Sequence, residues 1–299
     1  MSLLVIGTLA YDTIETVNGR ADGVLGGSAT YFSIAASYFA PVRLVGVVGT
    51  DFAARDRELL RARGIDVSGI ETAEGKSFRW TGRYEPDWNT RTTLDTQLNV
   101  FERFDPKIPP AHRASPFVFL ANGAPSIQAR ALDQMTAPKF TMLDTMNLWI
   151  ATAKHELLAL LKRVDAVVVN DEEARMLTGE KSLIRAALRV LDLGPRYVLL
   201  KKGEHGAFLM GRDVHFSLPA YPVEDVVDPT GAGDSFAGGF MGYLAEQADT
   251  VPASLRRAML YGTVTASMCV QGFSVDALKE RTRQEIDARY RELLNIVTV

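Results

Sequence analysis

Seven consecutive residues, Asp228-Pro229-Thr230-Gly231-Ala232-Gly233-Asp234, set two carboxylates on either side of three residues with little or no side chain. A turn at Pro229 and a helix starting near Gly233 would leave the N–H groups of Gly231, Ala232 and Gly233 open to a ligand. A helix start adds unsatisfied donors and the positive end of a dipole. Together these make an anion cradle. Asp234 beside it needs a separate reason, because a carboxylate repels a resting phosphate. As a general base it would take the proton of a substrate hydroxyl while the amides stabilise a phosphoryl group in transfer. As an early-turn acid it would only complement its helix. Local physics leaves both readings open.

Other segments carry polar groups at the ends of apolar runs. Asn170-Asp171-Glu172-Glu173 follows Ala166–Val169 directly. At a helix start, Asn170 and Glu173 share a face and point together at a sheet edge. The same pair fits a capping box, with Asn170 as N-cap and Glu173 three residues on. Lys201-Lys202-Gly203-Glu204-His205-Gly206 is a glycine turn between two strands, and Gly26-Gly27-Ser28 opens a helix. Asp144-Thr145-Met146-Asn147 follows another strand, and Trp80, Tyr84 and Trp88 either cover a substrate ring or pack a lid or dimer surface.

The segment Asp228–Asp234, followed by Ser235-Phe236-Ala237-Gly238-Gly239-Phe240-Met241, resembles without a gap the C-terminal signature of the ribokinase-like (PfkB) carbohydrate kinases. The order of elements resembles that family over nearly the whole chain. The resemblance implies that Asp234 is the catalytic base and that Gly231, Ala232 and Gly233 form the anion hole. It implies ATP contacts from Asn170, Glu173, Lys201, Gly203, Gly206 and Thr230, with Glu173 reaching Mg²⁺ through water. The adenine would lie between Val223 and the helix around 261–267. Asp228, with Thr230, would help hold a monovalent cation such as K⁺. Asp12, Gly26, Gly27, Tyr31, Asp144 and Asn147 would surround the acceptor, and a carboxylate such as Asp12 can accept two hydroxyl hydrogen bonds.

The sequence departs from the ribokinase pattern at two of these positions. Tyr31 stands where many members have Asn, and Ala10 where ribokinase itself has Asn. Two sugar-reading amides are missing, which argues against ribose. The function implied is ATP-dependent phosphorylation of a hydroxyl on a sugar-like molecule. The alternatives are a nucleoside or inositol kinase of the same family, or a catalytically silent binding protein. The last would need a damaged base or anion hole, and neither is damaged here.

These residues need a scaffold that brings strand ends to one edge. Short apolar runs alternate with amphipathic stretches: strands at Leu3–Thr8, Val42–Val48, Phe117–Ala121, Phe140–Leu143, Ala166–Asn170, Tyr197–Lys201 and Ala207–Met210, and helices at Ala29–Phe39, Phe52–Arg63, Ser126–Met135, Ala151–Arg163, Ser182–Leu191, Gly233–Gln247, Ala253–Val270 and Arg283–Leu294. The pattern predicts an α/β fold, with a doubly wound, mostly parallel sheet and helices on both faces. Two stretches, about 13–23 and 72–100, break the rhythm with strand-like alternation. They are expected to form a small inserted sheet, a lid, within a single kinase domain spanning 1–299.

Composition sets the remaining bounds. The 299 residues are 47% hydrophobic and 23% charged, with a net charge of −3. That charge provides no basic field for nucleic acid, and no Lys/Arg run suggests a membrane surface. No apolar run approaches the length of a membrane span, and no basic, long apolar leader precedes Leu3. The lone Cys269 sits in an apolar run and fits a reducing compartment, so the cytoplasm is expected. The partner expected is a small-molecule substrate, with no nucleic acid and no membrane, and the lid suggests a homodimer. Gly75-Lys76-Ser77 lacks the earlier glycine of a P-loop, His155-Glu156 lacks a second His, and no Gly-x-Gly-x-x-Gly follows the first strand.

Overall fold

The structure, a computed structural model, describes residues 1–298. β1 (Leu3–Ile6) leads to a hairpin of β2 (Ala10–Thr16) and β3 (Gly19–Gly26), then α1 (Ser28–Ala36), β4 (Val42–Gly49), α2 (Ala54–Ala62) and β5 (Asp66–Ala73). A second hairpin, β6 (Phe78–Tyr84) and β7 (Arg91–Gln97), precedes β8 (Phe117–Leu120), α3 (Pro125–Leu132), β9 (Phe140–Asp144), α4 (Asn147–Thr152) and α5 (Lys154–Leu161). There follow β10 (Ala166–Asn170), α6 (Asp171–Thr178), α7 (Leu183–Asp192), β11 (Tyr197–Lys201), β12 (Ala207–Gly211) and β13 (His215–Leu218). The last helices are α8 (Ala232–Gln247), α9 (Pro252–Cys269), α10 (Asp276–Lys279) and α11 (Arg283–Val297).

The strands form a nine-stranded sheet, ordered β13-β12-β11-β10-β9-β8-β1-β4-β5, and a four-stranded sheet, ordered β3-β2-β6-β7. From β5 to β11 every pairing in the large sheet is parallel. β12 and β13 close one edge antiparallel. The strand order reverses at β1, which pairs with β4 on one side and β8 on the other. In such sheets the carboxyl ends of the strands at the switch point open a crevice for ligands.

The central strands are mostly apolar, β1 and β8 at every position, because both faces are covered. Leu3, Val5, Ala166 and Val168 face a core shared with α1, α8 and α9, where Phe32 stacks on Phe119 at 4.1 Å. Leu4, Ile6, Val167 and Val169 face the opposite core, built by α3, α5 and α7. α8 comes unusually close to its neighbours. A Cβ at Gly239 would stand 2.7 Å from the Tyr261 carbonyl oxygen, and one at Gly242 would stand 3.0 Å from the Ala36 Cα.

The small sheet is larger than its sequence signal. Its first hairpin runs from Ala10 to Gly26, so Asp12 and Gly26 belong to it. The strand-like stretch expected to reach about 100 leaves the sheet at Gln97. Asn99 turns the chain there with φ +50, its side chain donating to the Ser77 carbonyl oxygen at 2.9 Å, and a 3₁₀ turn follows. The expected helix Ala151–Arg163 is two helices, broken at Ala153 (φ −135, ψ 35). β5, a lone edge strand with only Val67 and Ile70 well buried, has too weak a pattern to stand out. Among the described residues no helix is long and apolar enough to cross a membrane.

Candidate active site

Two cavities open along the carboxyl edge of the large sheet, and the Gly231–Asp234 segment lies between them. The first, about 560 Å³, is bordered by Thr8, Asp12, Gly27, Tyr31, Asn122, Asn147, Gly231 and Asp234, with aromatic walls from Phe78, Trp80, Tyr84, Phe101 and Trp149. The second, about 460 Å³, is bordered by Lys201, Gly203, Gly206, Val223, Ala232, Gly233, Phe236, Thr263, Ala266 and Ser267.

The wall between them is a backbone turn. Asp228 accepts the Thr230 N–H at 2.8 Å, and Gly231 is the N-cap of α8 with φ +75, ψ 0. That left-handed conformation is what a glycine adopts without strain. It faces Thr230 and Gly231 to the first cavity and Ala232 and Gly233 to the second. Thr230, expected on the ATP side, therefore borders the other cavity. The amide of Ala232 is engaged by the Pro229 carbonyl oxygen at 3.2 Å. Those of Gly231 and Gly233 have no backbone acceptor among the described residues. The expected three-amide cradle is thus two open amides at the start of a sixteen-residue helix.

Acids crowd this wall around one buried amine. In the β10–β11 register Asn170 lies opposite Lys201, so both leave the sheet at the same edge. The Lys201 ammonium lies 3.9 Å from Asp144 Oδ1. It abuts the anion loop, since a Cβ on Gly233 would meet Lys201 Nζ at 2.8 Å. Burial opposes the Lys201 charge, but Asp144, Glu173 and Asp234 together raise its pKa. Burial raises Asp144 against the pull of Lys201. Burial also pushes Glu173 up to about 7, Lys201 opposing and Asp144 adding. Asp234 is raised well above the ordinary carboxylate range by burial and by Asp144, with Lys201 opposing and Asp12 adding.

Asn170 and Glu173 form a complete capping box: Asn170 Oδ1 accepts the Glu173 N–H at 2.7 Å, and Glu173 Oε2 accepts the Asn170 N–H at 2.8 Å. Neither borders either of these two cavities. Asp144, expected among the acceptor contacts, does not border the first cavity either. It is buried behind Lys201, and its Oδ1 has no hydrogen-bond partner.

The acceptor-side residues are brought together by the first hairpin and the start of α1. Asp12 is buried, and burial pushes it up to about 7, against a hydrogen bond from the Gly27 amide. Gly26 makes room for it, since a Cβ there would overlap the Asp12 carboxylate. Gly26 itself borders neither cavity. Tyr31 borders the first cavity but is fully buried, its ring against Gly231. Asn147 opens α4, half-buried at the cavity edge. Behind the wall, Asp228 is wholly buried, and burial pushes it up to about 6. Its Oδ2 and the Thr230 Oγ1 are both without hydrogen-bond partners.

Four further polar residues border the first cavity that the sequence did not single out as site residues. Asn122 follows the end of β8 and accepts the Trp149 indole N–H at 3.1 Å; its place just beyond a strand end was the available signal. Thr8 and Ser28 share a hydrogen bond at 3.0 Å. Arg91, at the start of β7, borders the cavity with its guanidinium 5.7 Å from the Trp80 ring centre. Of the expected adenine wall, Val223, Thr263, Ala266 and Ser267 line the second cavity. Tyr261 does not: its ring stacks on Tyr290 at 4.3 Å and its hydroxyl donates to Asp287.

Residues 2–281 match the pattern of the pfkB family carbohydrate kinases. A cytidine kinase of Thermococcus kodakarensis is 29% identical over 249 residues, covering 81% of this chain and 87% of that protein. A nucleoside kinase of Methanothermobacter thermautotrophicus is 27% identical over 291 residues, 90% of this chain and 89% of that one. A Burkholderia thailandensis nucleoside kinase in complex with inosine has the same fold, with a TM-score of 0.77 at 21% identity over 98% of this chain and 99% of that one.

Proposed function

We infer that this chain, which belongs to the pfkB family of carbohydrate kinases, transfers a phosphoryl group from ATP to a hydroxyl of a nucleoside-like acceptor. The observation that carries the reading is the position of the anion loop as a shared wall. Gly231 and Asp234 border one cavity, and Ala232 and Gly233 border the other. A phosphoryl donor in the second cavity and a hydroxyl in the first would meet across that turn.

The acceptor class follows from the first cavity. Its volume of about 560 Å³ and its walls of Phe78, Trp80, Tyr84, Phe101 and Trp149 suit a planar ring as well as a sugar. Two relatives named as cytidine and nucleoside kinases support this choice over a free sugar.

Asp12 would accept hydrogen bonds from the acceptor's hydroxyls and fix its orientation. Asp234 would take the proton of the reacting hydroxyl as its oxygen bonds to the γ-phosphorus. The bond from that phosphorus to the bridging oxygen breaks, and ADP leaves with that oxygen. The Gly231 and Gly233 amides and the Lys201 ammonium stabilise the charge on the group in transfer. Lys201 opposes the rise in the Asp234 pKa and so favours the ionised carboxylate that a base needs. The four-stranded sheet, residues 10–26 and 78–97, would serve as the lid that excludes water.

Two cations fit the residues present. No cluster of three or more metal-ligating side chains occurs among the described residues. Mg²⁺ carried in on the nucleotide would keep most of its waters and need few protein carboxylates; Glu173, which borders neither cavity, would act on it only through water. Bound there, Mg²⁺ would neutralise phosphate charge. The partnerless Asp228 Oδ2 and Thr230 Oγ1 are two buried oxygens suited to K⁺. The same reading takes the chain as cytoplasmic, in keeping with its single buried thiol. It also takes the chain as a homodimer joined through the small sheet, whose strand β7 is exposed at all seven positions.

The test is an ADP-release screen with Mg²⁺ and K⁺ over nucleosides, sugars and inositols. Turnover with cytidine or another nucleoside above ribose is expected. Turnover with free sugars alone overturns the acceptor class, and no turnover with any of them overturns the transferase reading.

A further inference from the structure

One hairpin borders both cavities. Trp80 and Tyr84 of β6, with Arg91 and Thr93 of β7, wall the first cavity, while Trp88 and Asn89 at the tip between these strands wall the second. The tip is built to hold one shape. The Asp87 carboxylate accepts the N–H groups of Asn89 at 3.1 Å and Thr90 at 2.8 Å. Trp88 donates its N–H to the Glu85 carbonyl oxygen at 3.0 Å, and Glu85 donates to Thr90 at 2.9 Å.

The tip also touches the loop after β11. Asn89 Nδ2 donates to Glu204 Oε1 at 3.3 Å, and Asn89 Oδ1 rests on Gly203, where a Cβ would overlap it. Trp88 is held at φ +58. A bulky residue is rarely found there unless its surroundings require it.

We propose that Trp88 and Asn89 are part of the nucleotide site, and that through them the β6–β7 hairpin couples the two sites. This rests on reading the second cavity as the nucleotide cleft. A nucleotide seated against the tip fixes the strands that wall the acceptor cavity, so the cost of ordering them falls on the first ligand and the second binds more tightly. By linkage the effect is reciprocal, and couplings of this kind are commonly about 5–150-fold.

The test uses the non-hydrolysable nucleotide AMP-PNP with Mg²⁺, so no acceptor need be known. Calorimetry is expected to give a dissociation constant about tenfold weaker for Trp88→Ala and for Asn89→Asp, the latter facing Glu204 with a second negative charge. Asn89→Asp/Glu204→Gln restores a donor opposite an acceptor and should recover much of the lost affinity, though not the Asn89 Nδ2 bond to the Asp87 carbonyl oxygen at 2.9 Å, a rescue that a misfolded tip would not show. Hydrogen exchange is expected to slow in residues 78–84 and 91–97 when AMP-PNP binds the wild type, but not Trp88→Ala.

Wild-type affinity in both single variants overturns the proposal. So does protection confined to the 203–233 side of the cleft. Failure of the wild type to bind AMP-PNP at all overturns the kinase reading itself, and this inference with it.

Discussion

The ring of Tyr31 lies against the backbone of Gly231, so closely that a methyl group at position 231 would overlap it. An aromatic residue near the start of the chain thereby supports the turn of the anion loop, 200 positions away. The loss of an amide at position 31 therefore has a structural counterpart: the side chain buttresses the phosphate wall from below.

Gly231→Ala should thus damage chemistry beyond its cost in stability. The residue has φ +75, and the added methyl meets Tyr31. The strain alone is of order 1–3 kcal/mol. A displacement of about 1 Å in a transferring site can cost about 10² in rate. Steady-state kinetics should show kcat falling by about that factor while the chain still melts cooperatively. Unchanged kcat would disconnect the loop from the reaction.

Asp234→Asn should lower kcat by about 10²–10⁴ with the fold intact, because the amide cannot accept the acceptor's proton. Circular dichroism and a melting curve establish the fold. Turnover near that of the wild type would remove Asp234 as the base.

Asp12 links pH to stability with a definite sign. Its carboxyl titrates at about 7 in the folded chain, against an ordinary 3.8. Between those values the folded chain binds a proton that the unfolded chain has lost, so stability falls as pH rises from about 4 to about 7. Asp12→Asn has no such proton and should make the fall of melting temperature with pH shallower over that window, Glu173 and Asp228 keeping their share of it. A wild-type curve that rises steadily through it would contradict the assignment.

Lys201→Met should matter more at high pH than at low. At pH 5 a Glu173 that titrates near 7 is largely neutral and needs no cation; at pH 8 it is ionised beside Asp144 and Asp234. The loss in melting temperature at pH 8 should exceed that at pH 5, and the KM for ATP should rise. Equal losses at both pH values would mean that Lys201 acts by packing alone.

Replacing K⁺ by tetramethylammonium should reduce turnover if Asp228 Oδ2 and Thr230 Oγ1 take a monovalent cation. Asp228→Asn should abolish the difference between the two salts. Salt-independent turnover in the wild type would leave these two oxygens without that role.

What the sequence made legible was whatever is encoded over a few neighbouring residues. The continuous apolar strands, the helix start at Asn170 with its capping partner Glu173, and the small residues of the anion loop all depend on local geometry. The break at Ala153 and the turn at Asn99 were missed because single non-glycine residues there take conformations that their types do not announce. Arg91 and the retreat of Asp144 behind Lys201 were out of reach for another reason. Their places depend on which strands lie side by side, as in the pairing of Asn170 with Lys201, and a one-residue slip would send such side chains to the opposite face.

The close seating of α8 has a mechanical meaning. Glycine costs roughly 1 kcal/mol relative to alanine in a helix interior, yet Gly239 and Gly242 press this helix onto the backbones of α9 and α1. Backbone atoms of Tyr261 and Ala36 sit close against these glycines and cannot bend out of the way as a side chain can, so the helix resists sliding along its axis. Its first turn is the anion loop, which becomes a fixed datum for the whole molecule. A lineage acquiring a new acceptor would be free to remodel the aromatic walls on the small sheet, while the proposed reference point for phosphoryl transfer stays where it is.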